Sequence, residues 1–273
     1  MKKKNILTSF ISLFLTFSSF AQTTDEIIFK QKIMLPNAES KAQTALVLAK
    51  SFIGKPYKSG TLEGNKNEKL VCNLSTFDCS TFVESIVSMT ITKFSDNRTF
   101  ENYNSNLMSL RYRNGKINGY GSRLHYFREW MFQVEQNGIA KDVTNLVGGM
   151  KYKKSINFMT NNRNLYPGLK DDLAFAEVKN AQKNINNNGF YFIPKEFLAR
   201  HEQKIQDGDI IAITSNVDGL DFNHEGFAIR QNGKLHLLHA SYEQKKVVVS
   251  SEPLTSYLNR ISKHSGISVL RLL

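Results

Sequence analysis

Residues 78–84 read Asp-Cys-Ser-Thr-Phe-Val-Glu and place a cysteine at the start of an amphipathic helix. Asp78 is a good N-cap residue, so Cys79 falls in the first turn of that helix. Apolar residues follow at helical spacing and predict a buried face: Phe82, Val83, Ile86, Val87 and Ile91. The partial positive charge at a helix N-terminus stabilises a thiolate, so Cys79 is a candidate nucleophile.

A second informative stretch, from Asp209 to Ser250, reads as a series of strands around one tight turn. The Asn-Gly pair at positions 232 and 233 is the strongest short signal for a β-hairpin. A two-residue turn at this pair fixes a register in which His224 and His239 share one face as diagonal neighbours. Gly226, directly opposite His239, leaves space for the ring. A slip of one residue would remove this pairing.

Cys79, His224 and His239 together suggest a nucleophile, a general base and a group that orients the base. Other interpretations stay open at this point: an inert buried cysteine, a satisfied pair of core histidines, or half of a metal site. Nothing else in the chain has the paired Cys/His spacing of a zinc site. We therefore expect neither a metal ion nor an organic cofactor.

The N-terminal segment, residues 1–21, has the pattern of a secretory signal peptide. Lysines at positions 2–4 precede an apolar core over residues 6–20, and Ser19-Phe20-Ala21 is a small-x-small cleavage site. We expect an exported protein, periplasmic or secreted, whose mature chain begins at Gln22. The apolar core is too short and too rich in Ser and Thr for a confident membrane span, so no stable membrane anchor is expected.

Length and charge narrow the class of protein further. The chain has 273 residues and a formal net charge of +12, and residues 22–273 suit a single catalytic domain. A basic exported protein is drawn to anionic cell-envelope polymers, although solvated surface lysine and arginine explain the charge equally well. Export, and the lack of a basic run with interleaved aromatic residues, argue against nucleic acid as a partner. The oligomeric state is unknown from the sequence.

The other cysteine, Cys72, is predicted to be a small buried residue on a strand from Lys69 to Leu74. An exported protein can form a disulfide, and a regulatory bond between Cys72 and Cys79 is the minor alternative. Such a bond would disable the nucleophile.

The remaining elements indicate an α+β fold, because a helix carrying the nucleophile precedes a sheet carrying the bases. A helix is predicted over 42–52, and a short helix and a final strand over 254–262 and 267–272. An inserted, partly helical segment occupies about 95–205, with helical pieces over 123–137 and 173–186.

Several segments resemble the NlpC-type cell-wall cysteine hydrolases of the papain-like superfamily: Gly54-Lys55-Pro56-Tyr57, Asp78 to Val83, Gly208-Asp209-Ile210-Ile211, His224-Glu225-Gly226 and His239-Ala240-Ser241. The sequence more closely resembles the branch described as N-acetylmuramoyl-L-alanine amidase-like. Members of that branch carry segments that match Tyr57 to Glu63, Ser122 to Phe127 and Ile193 to Lys195.

This resemblance implies a papain-like core in which the nucleophile-bearing helix packs on an antiparallel sheet. It implies that Cys79 is the nucleophile, that His224 is the general base and that His239 orients it. It also places Tyr57 near the oxyanion or the substrate. The implied activity is hydrolysis of an amide bond in peptidoglycan or muropeptides through an acyl-enzyme.

Two further residues, Arg123 and His125, are candidates for lining the substrate cleft, and an exposed polar helix face is an almost equal alternative. The function has alternatives as well: an endopeptidase for the γ-D-glutamyl–diamino-acid bond, or an inactive relative that binds the cell envelope. The sequence does not decide which amide bond is cut, or whether whole sacculi or released fragments are the substrate.

Overall fold

The structure is a computed structural model that describes residues 22–65 and 67–273. The predicted signal segment, residues 1–21, lies outside the described residues. None of the helices in the described part of the chain is long and apolar enough to cross a membrane.

The centre of the fold is an eight-stranded sheet with the order β2-β3-β8-β4-β5-β6-β7, in which β1 also pairs with β8. Every pairing between its strands is antiparallel. The strands are β1 (Ala140–Asp142), β2 (Met150–Tyr152), β3 (Phe190–Pro194), β4 (Ile210–Ser215), β5 (Phe222–Gln231), β6 (Lys234–Ser241), β7 (Lys246–Val249) and β8 (His264–Leu272).

Helices of very different lengths surround this sheet, and short 3₁₀ turns connect several of them. The helices are α1 (Thr24–Ile33), α2 (Lys41–Lys50), α3 (Cys79–Lys93), α4 (Phe100–Arg111), α5 (Phe127–Gln136), α6 (Thr144–Val147), α7 (Phe158–Asn161), α8 (Asp172–Asn188), α9 (Leu198–His201) and α10 (Leu254–Arg260).

The two faces of the sheet bury separate hydrophobic clusters. On one face, α3 packs against β5, and the Phe82 and Phe227 rings meet edge to face with centroids 5.9 Å apart. On the other face, Leu254 and Leu258 of α10 join the same cluster as Ile213 of β4. Strand β4 is therefore buried on both faces, which explains its nearly continuous apolar sequence.

The predicted hairpin register is confirmed. Strands β5 and β6 pair from Gln231 with Lys234 through Ile229 with His236, as a two-residue Asn-Gly turn requires. Both turn residues have positive φ, 49° at Asn232 and 76° at Gly233.

The prediction for Cys72 is wrong. Residues 69–73 have no regular secondary structure, and Cys72 is only half-buried. Cys72 and Cys79 are both free thiols in the structure.

The inserted segment contributes more than helices. It also supplies β1, β2 and β3, and through β1 and β3 it pairs with the final strand β8. The predicted helix over 123–137 begins later, at Phe127, so Arg123 and His125 lie in the connection that precedes it.

Candidate active site

Cys79 occupies the first position of α3, as the sequence predicts. The Asp78 side chain accepts a hydrogen bond from the Thr81 backbone N–H at 2.8 Å. The Thr81 hydroxyl accepts one from the Asp78 backbone N–H at 3.0 Å. This reciprocal capping box fixes where the helix starts, and with it the position of the thiol.

The two predicted histidines form a direct pair. Nε2 of His224 lies 2.5 Å from Nδ1 of His239, so one imidazole donates a hydrogen bond to the other. Their rings meet edge to face at 4.8 Å. Burial lowers the pKa of His239 to about 4 and holds the pKa of His224 well below its usual range. Both imidazoles are therefore neutral at neutral pH.

Glu225 lies beside Cys79, which the sequence did not lead us to expect. Its carboxylate accepts a hydrogen bond from the Ser80 hydroxyl at 3.0 Å and lies within reach of the Cys79 thiol. Only 4% of Glu225 is exposed. A sequence signal did exist, since Glu225 is an acidic residue inside a predicted strand of a sheet that must be largely buried.

Glu225 and His224 are adjacent on β5, so their side chains point to opposite faces of the sheet. Glu225 faces α3, whereas His224 faces α10 and its ring lies 6.4 Å from that of Tyr257. Among the described residues, no hydrogen bond joins Cys79 to either imidazole. The structure thus brings together the two histidines, and it brings Cys79 together with Glu225.

Tyr257 of α10 lies on the same face of the sheet as the imidazole pair. Its ring packs 5.5 Å from that of His239. Burial raises the pKa of its hydroxyl group, and Cys79 is near enough to add to this shift. The sheet nevertheless separates the imidazole pair and Tyr257 from the Cys79 thiol, and the predicted unit of Cys79, His224 and His239 is not assembled in the structure.

The protonation state of Cys79 differs from the expectation of a stabilised thiolate. Burial and the Glu225 carboxylate raise the pKa of the Cys79 thiol well above its usual value, and Asp78 adds to the shift. A helix N-terminus typically contributes about 0.3–1 kcal/mol, which is less than one pKa unit. Burial and neighbouring carboxylates outweigh it, so the resting thiol is protonated at neutral pH.

Tyr57 pairs with Phe77, two residues before Cys79, so it lies next to the start of α3. Burial raises the pKa of its hydroxyl group, and the nearby Cys79, Asp78 and Glu225 raise it further. Its ring packs edge to face against Tyr242 with centroids 5.6 Å apart. The Tyr57 hydroxyl stays protonated and can donate a hydrogen bond.

Arg123 is buried and fully engaged by acidic partners. Its guanidinium contacts Glu68 at 2.7 Å and Glu63 at 2.5 Å. His125 is neutral, because burial and the Arg123 charge lower its pKa to about 3. Its Nε2 therefore donates to the Tyr120 carbonyl oxygen at 2.8 Å. Neither residue belongs to an exposed helix face.

Two cavities meet at His125 and Leu220. The smaller one has a volume of about 310 Å³ and is lined by Cys79, Ser80 and Glu225. The larger one, of about 830 Å³, is lined by Arg123 and aromatic side chains, among them Tyr120 and Tyr166. All the predicted site residues except Tyr57, His224 and His239 line one of these cavities.

Two residues that line the smaller cavity each carry a buried polar atom without a hydrogen-bond partner in the described structure, Trp130 Nε1 and Asn223 Oδ1. Such orphaned atoms are uncommon in folded proteins and require an explanation. One is a donor and the other an acceptor, which suits a polar ligand. No group of three or more His, Cys, Asp and Glu side chains in the described ranges is arranged to hold a metal ion.

The fold and the site define an α+β protein with a half-buried cysteine at a helix start and a coupled pair of imidazoles on the neighbouring sheet. The N-acetylmuramoyl-L-alanine amidase-like family model, AmiA-like, matches residues 47–267. The chain belongs to this family. No protein of curated function is detectably similar to it.

Solved structures agree with this placement. An N-acetylmuramoyl-L-alanine amidase from Bacteroides uniformis is 37% identical, with a TM-score of 0.81 over 85% of this chain and 99% of that chain. A protein from Bacteroides fragilis described as a putative xylanase is 38% identical, with a TM-score of 0.78 over 82% of this chain and 99% of that one. A Legionella pneumophila protein at 21% identity and a TM-score of 0.70 shares the fold.

Proposed function

We propose that this protein is an exported cysteine amidase with a papain-like, NlpC-type core, which hydrolyses an amide bond of peptidoglycan or of muropeptides. The observation that carries the proposal is the position of Cys79, at the first residue of a capped helix and on the wall of a cavity. Membership of an amidase-like family and the similarity to the Bacteroides uniformis amidase support the choice of substrate.

In the proposed reaction, Cys79 is the nucleophile and His224 is the general base. The thiol and the imidazole both start neutral, which favours proton transfer during attack over a preformed ion pair. As sulfur bonds to the amide carbon, the thiol proton passes to His224. In the structure the two side chains lie on opposite faces of β5, so this transfer requires β5 to rearrange when the substrate binds.

His239 orients His224 through the bond at 2.5 Å. The Cys79 backbone N–H and the Tyr57 hydroxyl would donate to the oxyanion, and each such donor is worth about 2.7–4 kcal/mol at most. When the C–N bond breaks, His224 returns the proton to the leaving amine. Water then hydrolyses the thioester and restores the free thiol.

The smaller cavity supplies polar partners for a substrate beside the reacting carbon. The Trp130 indole N–H can donate to a carbonyl oxygen, and the Asn223 side-chain oxygen can accept from an amide N–H. Amide groups carry both functions, and peptide stems are rich in them.

The test is digestion of purified sacculi and of isolated muropeptides by the mature protein, with mass spectrometry of the products. Cys79→Ala should abolish hydrolysis while the fold is retained, and Cys72→Ser serves as the matched control that keeps most activity. Release of intact peptide stems from the sugar identifies the lactyl–L-Ala bond. Cleavage within the stem identifies the endopeptidase instead. Retention of full activity by Cys79→Ala, or binding without hydrolysis by the wild type, would refute the proposal.

Export is tested separately. The secreted or periplasmic protein should begin at Gln22 when its N-terminus is sequenced. A mature protein that retains the lysines at positions 2–4 contradicts this part of the proposal.

A further inference from the structure

The carboxyl group of Glu225 is the charged group that lies against the Cys79 thiol. Ser80 donates to it at 3.0 Å, and the Cys79 thiol is within hydrogen-bonding reach. Glu225 is 4% exposed and lines the same cavity as Cys79. A buried carboxylate with so few donors is costly unless something compensates it.

None of the side chains lining the cavity in the described structure is Lys or Arg. Another buried acid that lines the cavity, Glu84 of α3, is paired with Arg111 at 2.8 Å, and its charge is thereby compensated. The remaining titratable groups around Cys79 and Glu225 are Asp78 on α3, Asp221 on the segment before β5, Tyr57, Tyr257 on α10, and His125 before α5.

Building on the function proposed above, we propose that Glu225 is a positioning residue for Cys79. The carboxylate of Glu225 holds the thiol as a protonated hydrogen-bond donor until a proton or a bound substrate neutralises the carboxylate. Neutral Glu225 no longer repels the developing thiolate. The nucleophile would thus be inactive toward adventitious electrophiles while the site is empty.

Cysteine alkylation tests this relationship without any peptidoglycan substrate. In a Cys72→Ser background, iodoacetamide labels only Cys79, and its rate against pH reports the thiolate. With wild-type Glu225, the pH midpoint of the labelling rate should lie above about 8.5, the usual pKa of a cysteine thiol. Glu225→Gln should move the midpoint down by about one unit and raise the rate near pH 7.5 up to about tenfold, as expected for loss of an adjacent like charge.

Two variants separate the charge from other effects. Glu225→Asp keeps the carboxylate and should keep the high midpoint. Asp218→Asn removes an exposed carboxylate from the connection between β4 and β5, and should leave the pH profile of the labelling rate unchanged. Equal profiles for Glu225→Gln and the wild type would overturn the proposal.

A wild-type midpoint below that of free cysteine would overturn it too, even if Glu225→Gln failed to fold. Because alkylation measures Cys79 directly, this result is independent of whether the protein cleaves peptidoglycan. A protein with the predicted profile but no hydrolysis would refute the proposed function alone.

Discussion

Nε2 of His224 and Nδ1 of His239 lie 2.5 Å apart, so the two imidazoles share one proton position. The contact uses Nε2 of His224 and leaves its Nδ1 for another partner. The two rings form a unit in which one histidine sets the tautomer of the other.

Replacing the two histidines one at a time should cause unequal losses of activity. His224→Ala should lower kcat by about 10²–10⁴-fold, the usual contribution of a general base. His239→Asn should keep part of the activity, because an amide can still hydrogen-bond the imidazole. The measurement is muropeptide hydrolysis across pH, with His201→Asn as a control outside the hairpin.

Combining His224→Ala with Cys79→Ala should cost little beyond either change alone, since members of one catalytic unit are not additive. Losses that simply multiply would show that the two residues act separately.

The free energy of unfolding of Glu225→Gln should differ from that of the wild type in a pH-dependent way. Burial raises its pKa from 4.5 to about 7 in the folded protein. Between these values the folded state keeps a proton that the unfolded state releases, so Glu225 costs stability as pH rises. Glu225→Gln removes this cost and should gain on the wild type by up to about 1.4 kcal/mol per pH unit in that window.

Urea unfolding at pH 5 and pH 8 measures this gain. The lowered pKa values of His224 and His239 act in the opposite direction, but both proteins contain these residues and the difference cancels them. A stability difference that is the same at both pH values would contradict the assigned shift.

The hairpin could be predicted from the sequence because local chemistry dictates it. Asn232 and Gly233 adopt the positive φ that a tight hairpin turn needs. Once the turn is fixed, alternation along the strands determines that His224 and His239 share a face. The helix start at Cys79 was predictable for the same reason, since Asp78 and Thr81 are close in sequence.

The surroundings of Cys79 could not be predicted in this way. Glu225 meets Ser80 across 145 residues of sequence, and only the packing of α3 on β5 brings them together. The burial that keeps the thiol protonated arises from the same packing. Helix-end electrostatics can be read locally, but the larger desolvation effect depends on tertiary structure.

The inserted segment shows a different limit. Strands β1 and β2 have three residues each and no regular alternation of apolar side chains. Their pairing with β8 and β3 is set by tertiary contacts that a periodicity argument does not include.

Replacing Arg123, which lines the larger cavity, should destabilise the folded protein. Its side chain is 7% exposed and faces Glu68, which is 8% exposed. Arg123→Ala leaves that carboxylate buried without its partner, which typically costs about 3–5 kcal/mol. Arg123→Lys should cost less, since it keeps the charge but loses the forked geometry. Chemical denaturation compares the two, and equal stability of all three proteins would show that the ion pair is dispensable.

The alignment of the histidine pair should depend on the absence of a side chain at Gly226. A Cβ at this position would lie 2.7 Å from the Leu238 carbonyl oxygen and 2.9 Å from the His239 Cβ. Both neighbours belong to β6 and cannot move away without shifting the strand, so Gly226→Ala should cost about 1–3 kcal/mol. The shift would also displace His239 from His224, and kcat should fall with it.

Gly233→Ala is the control: its Cβ meets nothing within 4 Å, so only the strain of its positive φ should destabilise the turn. If Gly226→Ala kept both wild-type stability and wild-type kcat, the close packing around His239 would have no role in aligning the pair.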